Sequence, residues 1–176
     1  MKGIVGNGKL SYDLSAHYYD WTHFQTTTLQ QVEGSLAPQY LADDAGKAHT
    51  FGAEAGFRYS PVRSFSLFGN YSYIDGKFNA EDENGNPQEY AGNRFRLTPK
   101  HTFSAGIDVD VPVSKRANVY FRPSYSYKSQ VYFEDSNGAD LSQPGYGLVN
   151  FTAGVRVSAR NFYYEIGSFG KNVFDK

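Results

Sequence analysis

The sequence predicts an all-β protein, an antiparallel up-and-down transmembrane β-barrel present in part, as about seven strands with short periplasmic turns and long extracellular loops. Three observations carry that expectation. Apolar residues recur at every second position over stretches of about ten residues, which gives a strand one apolar and one polar face. Short and long connections alternate along the chain. Aromatic residues are abundant: 15 Tyr, 14 Phe and 1 Trp make up 17% of the 176 residues, yet mean hydropathy is −0.56. Alternating barrel strands are not hydrophobic on average but carry Tyr and Phe girdles at both membrane interfaces.

The elements follow in order. Leu10, Tyr12, Leu14, Ala16 and Tyr18 alternate with Ser11, Asp13, Ser15, His17 and Tyr19. Phe51, Ala53, Ala55, Phe57 and Tyr59 alternate with Thr50, Gly52, Glu54, Gly56 and Arg58. From Phe65 to Tyr73 the odd positions are again apolar or small, and only Phe68 breaks the polar set. The stretch "TFSAGIDVDVPV" from Thr102 to Val113 sets Phe103, Ala105, Ile107, Val109 and Val111 against Thr102, Ser104, Gly106, Asp108 and Asp110. Val119, Phe121, Pro123, Tyr125 and Tyr127 form the next apolar row, and Val149, Phe151, Ala153, Val155 and Val157 the one after. Pro123 lacks an amide hydrogen, which the strand ladder has to tolerate. "FYYEIGSFGKNVF" from Phe162 is a seventh, less regular strand, and no helix is expected.

Alternation alone suits either a soluble β-sandwich, which buries its apolar face, or a membrane barrel, which turns that face to lipid. The connections decide. "VGNGK" near residue 7, "SPVRS" at 60–64, "VPVSKRA" at 111–117 and "SARN" at 158–161 alternate with long polar segments at 28–47, 79–98 and 134–147. Short turns on one rim and long loops on the other is the plan of an outer-membrane barrel. About ten residues per strand also match the 9 to 11 of a tilted crossing better than the roughly 5 to 6 of a typical soluble strand. Phe103, Ile107, Val109, Phe151, Val155 and Tyr59 are then expected on the convex, lipid-facing side. Glu54, Arg58, Asp108, Asp110, Arg122, Lys128 and Arg156 are expected to face the lumen.

Composition removes several classes. A net charge of −1 gives no basic field for nucleic acid, and the absence of cysteine removes disulfides, thiolate metal sites and a cysteine nucleophile. No apolar run approaches the roughly 18 residues of a helical span. "MKGIVGNGKL" is not a signal peptide, so the chain is expected to be either cytoplasmic or without its original N-terminus. No Ser-His-acid order, G-x-S-x-G or phosphate-binding Gly loop occurs, so neither catalysis nor a cofactor is expected.

Two metal readings are open to the sequence. His23 and His49 flank the first long segment and with Asp43 or Asp44 could hold a metal; the alternative is water-exposed girdle and loop histidines. Asp82, Asn84 and Asn86 have the spacing of a calcium loop, but Pro87 stands where a turn Gly is needed and Asn93 where the bidentate Glu belongs. No metal site is expected. The long segments are acidic: residues 28–47 hold Glu33, Asp43 and Asp44 against Lys47, and residues 79–97 hold Glu81, Asp82, Glu83 and Glu89 against Arg94 and Arg96. An acidic mouth disfavours strongly anionic ligands.

Four phrases, "AHYYDWTHFQ", "GKAHTFGAEAGFRYSP", "NRFRLTPKHTFSAGIDVDVP" and "EIGSFGKNVFDK", resemble successive segments in the C-terminal part of the barrel of TonB-dependent outer-membrane receptors. The resemblance covers essentially the whole chain, 1–176, as a single barrel segment. It implies roughly strands 15 to 21 of a 22-strand barrel, with the plug domain, the energy-coupling box and the closing strand outside this sequence. It also implies the bacterial outer membrane as location, and membrane lipid, the plug and the TonB complex as partners. The ligand would be a scarce bulky small molecule such as a ferric siderophore. Its contacts would come from the long-loop rim, where Trp21, His23, Gln25, Tyr40, Tyr90, Arg94 and Tyr132 gather aromatic faces and hydrogen-bonding groups. The other classes considered are a small non-transporting barrel and the soluble sandwich.

Overall fold

The computed structural model describes residues 1–174, and side chains within them apart from Thr28, Leu29 and Gln30. The Asp-Lys pair that ends the sequence lies outside the described residues. Eight strands form one antiparallel sheet in the order β1 (Lys2–Val5), β2 (Leu10–Trp21), β5 (Ala48–Val62), β6 (Phe65–Phe78), β7 (His101–Ser114), β8 (Ala117–Lys128), β11 (Tyr146–Ala159) and β12 (Phe162–Gly170). Every strand pairs with its sequence neighbours in the sheet, so the topology is up and down throughout. Two further hairpins stand outside it, β3 (Gln25–Gln30) with β4 (Gln39–Asp44), and β9 (Val131–Tyr132) with β10 (Ser142–Gln143). A single 3-10 turn, Ala139–Leu141, is the one helical element among the described residues.

The sheet has eight strands where the sequence predicted about seven. The additional one is β1, whose four residues pair with β2 through a turn in which Gly6, Asn7 and Gly8 all have positive φ. Gly and Asn are the residues that reach that region at low cost, so the tight turn was written locally even though the strand before it was too short to show alternation.

Register places the expected faces. Leu10, Tyr12 and Leu14 lie opposite Tyr59, Phe57 and Ala55, while Tyr71 lies opposite Phe103 and Val155 opposite Val119. Directly opposed residues share a face, so the apolar rows merge into one continuous surface across the sheet. Among the described residues no second sheet packs on it. Phe57, Tyr59, Phe103, Val119, Phe121 and Val155 remain exposed, and among the described residues the buried apolar ones are only Ala48, Phe78 and Tyr120. The sandwich reading fails on this point, because a sandwich would bury those rows between two sheets.

The opposite face carries Glu54, Arg58, Asp108, Asp110, Arg122, Lys128 and Arg156 together, by the same register. Arg122 Nε donates to Asp108 at 3.0 Å, Arg156 contacts Asp110 at 3.0 Å and Glu165 at 3.1 Å, and Asn118 donates to Asp110 at 2.7 Å. Tyr120 lies beneath both guanidiniums, with ring centroid distances of 5.0 Å and 5.4 Å. Its ring occupies the space that side chains at Gly154 and Gly167 would take. Phe68, the exception in the sequence pattern, has a matching explanation: it covers Gly106 and accepts the Arg58 guanidinium over its ring at 5.2 Å.

Pro123 is accommodated asymmetrically. It pairs with Phe151 of β11, whereas on the β7 side the ladder lapses between Gly106–Ser124 and Val109–Phe121 and resumes in the same register. The missing donor is therefore confined to one neighbour.

Candidate functional site

The three long connections, between β2 and β5, β6 and β7, and β8 and β11, meet at one end of the sheet. An aromatic cluster underlies them. Phe24 stacks on Phe95 at 4.5 Å, and Phe78 meets Phe95 at 5.2 Å, Phe24 at 5.6 Å and Tyr90 at 5.5 Å. Trp21 closes the cluster against Phe24 and Phe95. Phe78, at 1% exposure, is the largest fully buried side chain described. Beside it Gln88 spans the first two connections, accepting from the Lys47 amide and donating to the carbonyls of Lys47 and Asn79.

A buried carboxylate joins all three. Asp135, 8% exposed, accepts from the Thr26 hydroxyl at 2.5 Å and from the Arg96 amide at 3.2 Å, while its carbonyl accepts from Asn93 at 2.8 Å. The Arg96 guanidinium continues to Thr27, donating to the carbonyl at 3.1 Å and the hydroxyl at 2.9 Å. Asn137 adds a two-way bond, accepting from the Arg94 amide at 2.7 Å and donating to its carbonyl at 2.8 Å. A buried acid is stable only when it is hydrogen-bonded, and these partners come from segments 39 to 109 residues away. Neither Asp135 nor Arg96 was singled out from the sequence. "FEDSN" reads as a solvated acidic loop, and no local signal marks which of its acids turns inward.

Over this network lies a cleft of about 450 Å³ lined by Thr27, Tyr40, Tyr90, Arg96, Phe133, Glu134, Asp135 and Ser136. It presents three aromatic rings beside a guanidinium and two carboxylates, and each of the three connections contributes to it. Such a mixture binds an extended ligand by ring contact and hydrogen bonding. Of the seven residues expected at the rim, Tyr40 and Tyr90 come together here. Arg94 and Tyr132 pair with each other, the guanidinium 5.8 Å from the ring, and Arg94 also donates to the Thr98 carbonyl. Trp21 packs in the aromatic cluster, and Gln25 is exposed at the start of β3, opposite Asp44.

His23 is exposed and bridges two connections, with Nδ1 2.7 Å from Asp44 and Nε2 3.6 Å from Glu83. The Asp44 hydrogen bond, followed by the Glu83 charge, raises the His23 pKa above its usual 6.5. Asp44 is held below the usual carboxylate value by the Gly46 amide first and His23 next. His49 turns elsewhere, to Asn79 at 2.6 Å and to the Tyr18 ring. Among the described residues, no three His or acidic side chains are grouped to hold a metal. Asp82 spends an oxygen on the amides of Asn84 and Asn86, each at 2.8 Å, so the calcium-like spacing serves to close a turn at Gly85.

A family model described as TonB dependent receptor-like, beta-barrel, matches residues 2–173. Among solved structures, the chain is similar to BauA, the ferric preacinetobactin receptor from Acinetobacter baumannii, with TM-score 0.71 and 21% identity, over 98% of this chain and 24% of that one. It is similar to the ferric yersiniabactin uptake receptor FyuA from Yersinia pestis, with TM-score 0.74 and 18% identity, over 96% of this chain and 23% of that one. A third is the ferric-catecholate import receptor Fiu from E. coli K12, with TM-score 0.64 and 18% identity, over 99% of this chain and 22% of that one. At these identities the likeness is one of fold, and the chain spans about a quarter of the length of each. No curated protein sequence matches it.

Proposed function

The chain belongs to the TonB-dependent receptor β-barrel family, and on that premise we propose that residues 1–176 form one continuous segment of the barrel of an active outer-membrane receptor. The apolar face contacts membrane lipid. The charged face, with Glu54, Arg58, Asp108, Asp110, Arg122, Lys128 and Arg156, lines the lumen against a plug domain. The long connections face outward and take part in binding a bulky ligand, a ferric siderophore being the leading class, whose import draws on energy delivered by TonB.

One observation carries this reading: three connections distant in sequence are tied by the buried Asp135 around a cleft that presents Tyr40, Tyr90, Phe133 and Arg96. Loops that only joined strands would not need a buried ionic network to fix their mutual positions. A binding surface does, because pre-ordering lowers the entropy lost when a ligand docks. Tyr40 is the cleanest probe, since the residue is 73% exposed and lines the cleft.

In the full-length receptor, Tyr40→Ala is expected to weaken binding at least fivefold for one member of a panel of iron chelates, cobalamin and oligosaccharides. Leu36→Ala, fully exposed and away from the cleft, serves as the control. Unchanged affinity across the panel would remove the cleft from the ligand site.

A further inference from the structure

The net charge of −1 conceals a strong asymmetry between the two rims. The long connections are acidic, and the third adds Glu134, Asp135 and Asp140 with no cation in 134–147. The four tight turns at the other rim are the reverse. Lys9 lies in the β1–β2 turn, Arg63 in β5–β6, Lys115 and Arg116 in β7–β8, and Arg160 in β11–β12, and these turns hold no acidic residue. All five cations are exposed, and none enters an ion pair among the described residues. Asp110 and Glu165, on the strands that lead to these turns, are already engaged by Arg156.

Each turn also has a bare apolar neighbour: Val5 (47% exposed), Val62 (61%), Val113 (61%) and Phe162 (69%). The rim therefore passes from apolar to cationic within one or two residues in three of the hairpins, and across the four-residue step from Val5 to Lys9 in the β1–β2 hairpin. Successive hairpins are two strand spacings apart, about 10 Å. That is close to the screening length at ordinary ionic strength, so each turn acts on its own counter-charge rather than pooling into one patch.

We propose that the short-turn rim is a docking surface for anionic phospholipid headgroups in the leaflet it reaches, with the apolar neighbours seated at the edge of the acyl region. The proposal rests on the membrane-barrel reading above. An acidic protein partner fits the geometry less well, because the cations are spread singly along an edge whose apolar band is continuous with the sheet face. Basic side chains near an anionic bilayer surface each favour it by enough to bias lipid composition at the boundary.

The test reconstitutes the full-length receptor in bilayers made of equal parts phosphatidylcholine and phosphatidylglycerol and measures boundary-lipid selectivity with spin-labelled forms of each. The expected result is enrichment of phosphatidylglycerol by about fivefold at sites beside the short-turn rim. That preference should fall to near unity in about 1 M salt, where screening is much shorter. It should also vanish when Lys9→Gln, Arg63→Gln, Lys115→Gln, Arg116→Gln and Arg160→Gln are combined, and survive when the three arginines alone become lysine. Equal partition in the wild type, or a preference retained by the neutralised variant, overturns the proposal. Micromolar binding of polyglutamate without lipid selectivity also overturns it and assigns the rim to an acidic protein. A protein that never enters the bilayer gives no boundary signal at all, and in that case the membrane reading fails together with the proposal.

Discussion

The sheet and the cap of long connections are built on opposite plans. The sheet has regular strands of up to 15 residues, yet among the described residues its buried rings are only Tyr120 and, at the end of β6 beneath the cap, Phe78, and its apolar rows stand exposed. The cap is irregular but has a packed interior of its own: Phe78, the last residue of β6, at its base, then Thr26 and the carboxylate of Asp135. A water-soluble domain would hold its core in the sheet. Here the sheet needs an apolar solvent on one side, while the cap brings a small core of its own and suits water.

The sharpest way to break that contrast is to damage each part separately. Phe78→Ala should cost the cap about 3 to 5 kcal/mol, because its ring fills the contact among Phe24, Phe95 and Tyr90. Amide exchange should accelerate across the three connections while heat-modifiable mobility of the barrel stays as in the wild type. Loss of barrel assembly in this variant would show that the cap is not a separate core. On the sheet, Ile107→Lys should cost about 2 to 4 kcal/mol near the bilayer midplane and impair membrane assembly. Its neighbour Asp108→Asn, partly exposed and ion-paired among the described residues with Arg122, should change assembly by less than about 1 kcal/mol. The reverse ranking would place the apolar face in water.

A smaller effect is expected at the centre of the cap. Thr26→Val keeps shape but removes the hydroxyl that Asp135 accepts, at a cost of about 1 to 3 kcal/mol, and Thr26→Ser should restore most of it. Equal stability of the Val and Ser variants by denaturant unfolding of the cap would contradict the role given to this bond.

The smallest effect is pH-dependent. His23 titrates above its usual value, so its bridge to Asp44 and Glu83 is fully made below about pH 6.5 and is lost as pH rises through the raised pKa. Asp44 acts in the other direction, contributing above its usual 3.8 and losing that contribution as pH falls through its lowered pKa. Limited proteolysis of the first long connection should be slowest in mildly acidic buffer and faster at pH 8, and His23→Ala should remove this dependence. An unchanged profile in that variant would assign the pH effect elsewhere.

The same contrast explains what could be read in advance. Strand faces were legible because a period of two needs only the chain itself, and register then joined Tyr59, Phe103 and Val155 to a single surface. Lys2–Val5 was missed because four residues including Gly3 give too little alternation to count. Phe68 looked anomalous until its cross-strand neighbour Gly106 was known. The cap was the least legible part. Thr26, Arg96 and Asp135 acquire their roles only from one another, across separations that no local pattern encodes. Rim residues chosen by type alone were accordingly divided among the cleft, the aromatic cluster and a separate Arg94–Tyr132 pair.

The central claim, that one face of the sheet meets lipid and the other an aqueous interior, can be measured position by position. Nitroxide labels placed singly from Thr102 to Val111 in the bilayer-reconstituted receptor should show oxygen accessibility peaking at Phe103, Ala105, Ile107 and Val109. Accessibility to a water-soluble nickel chelate should peak at Thr102, Ser104, Asp108 and Asp110, out of phase with oxygen. Two profiles in phase, or nickel access at Ile107 equal to that at Asp108, would contradict the account.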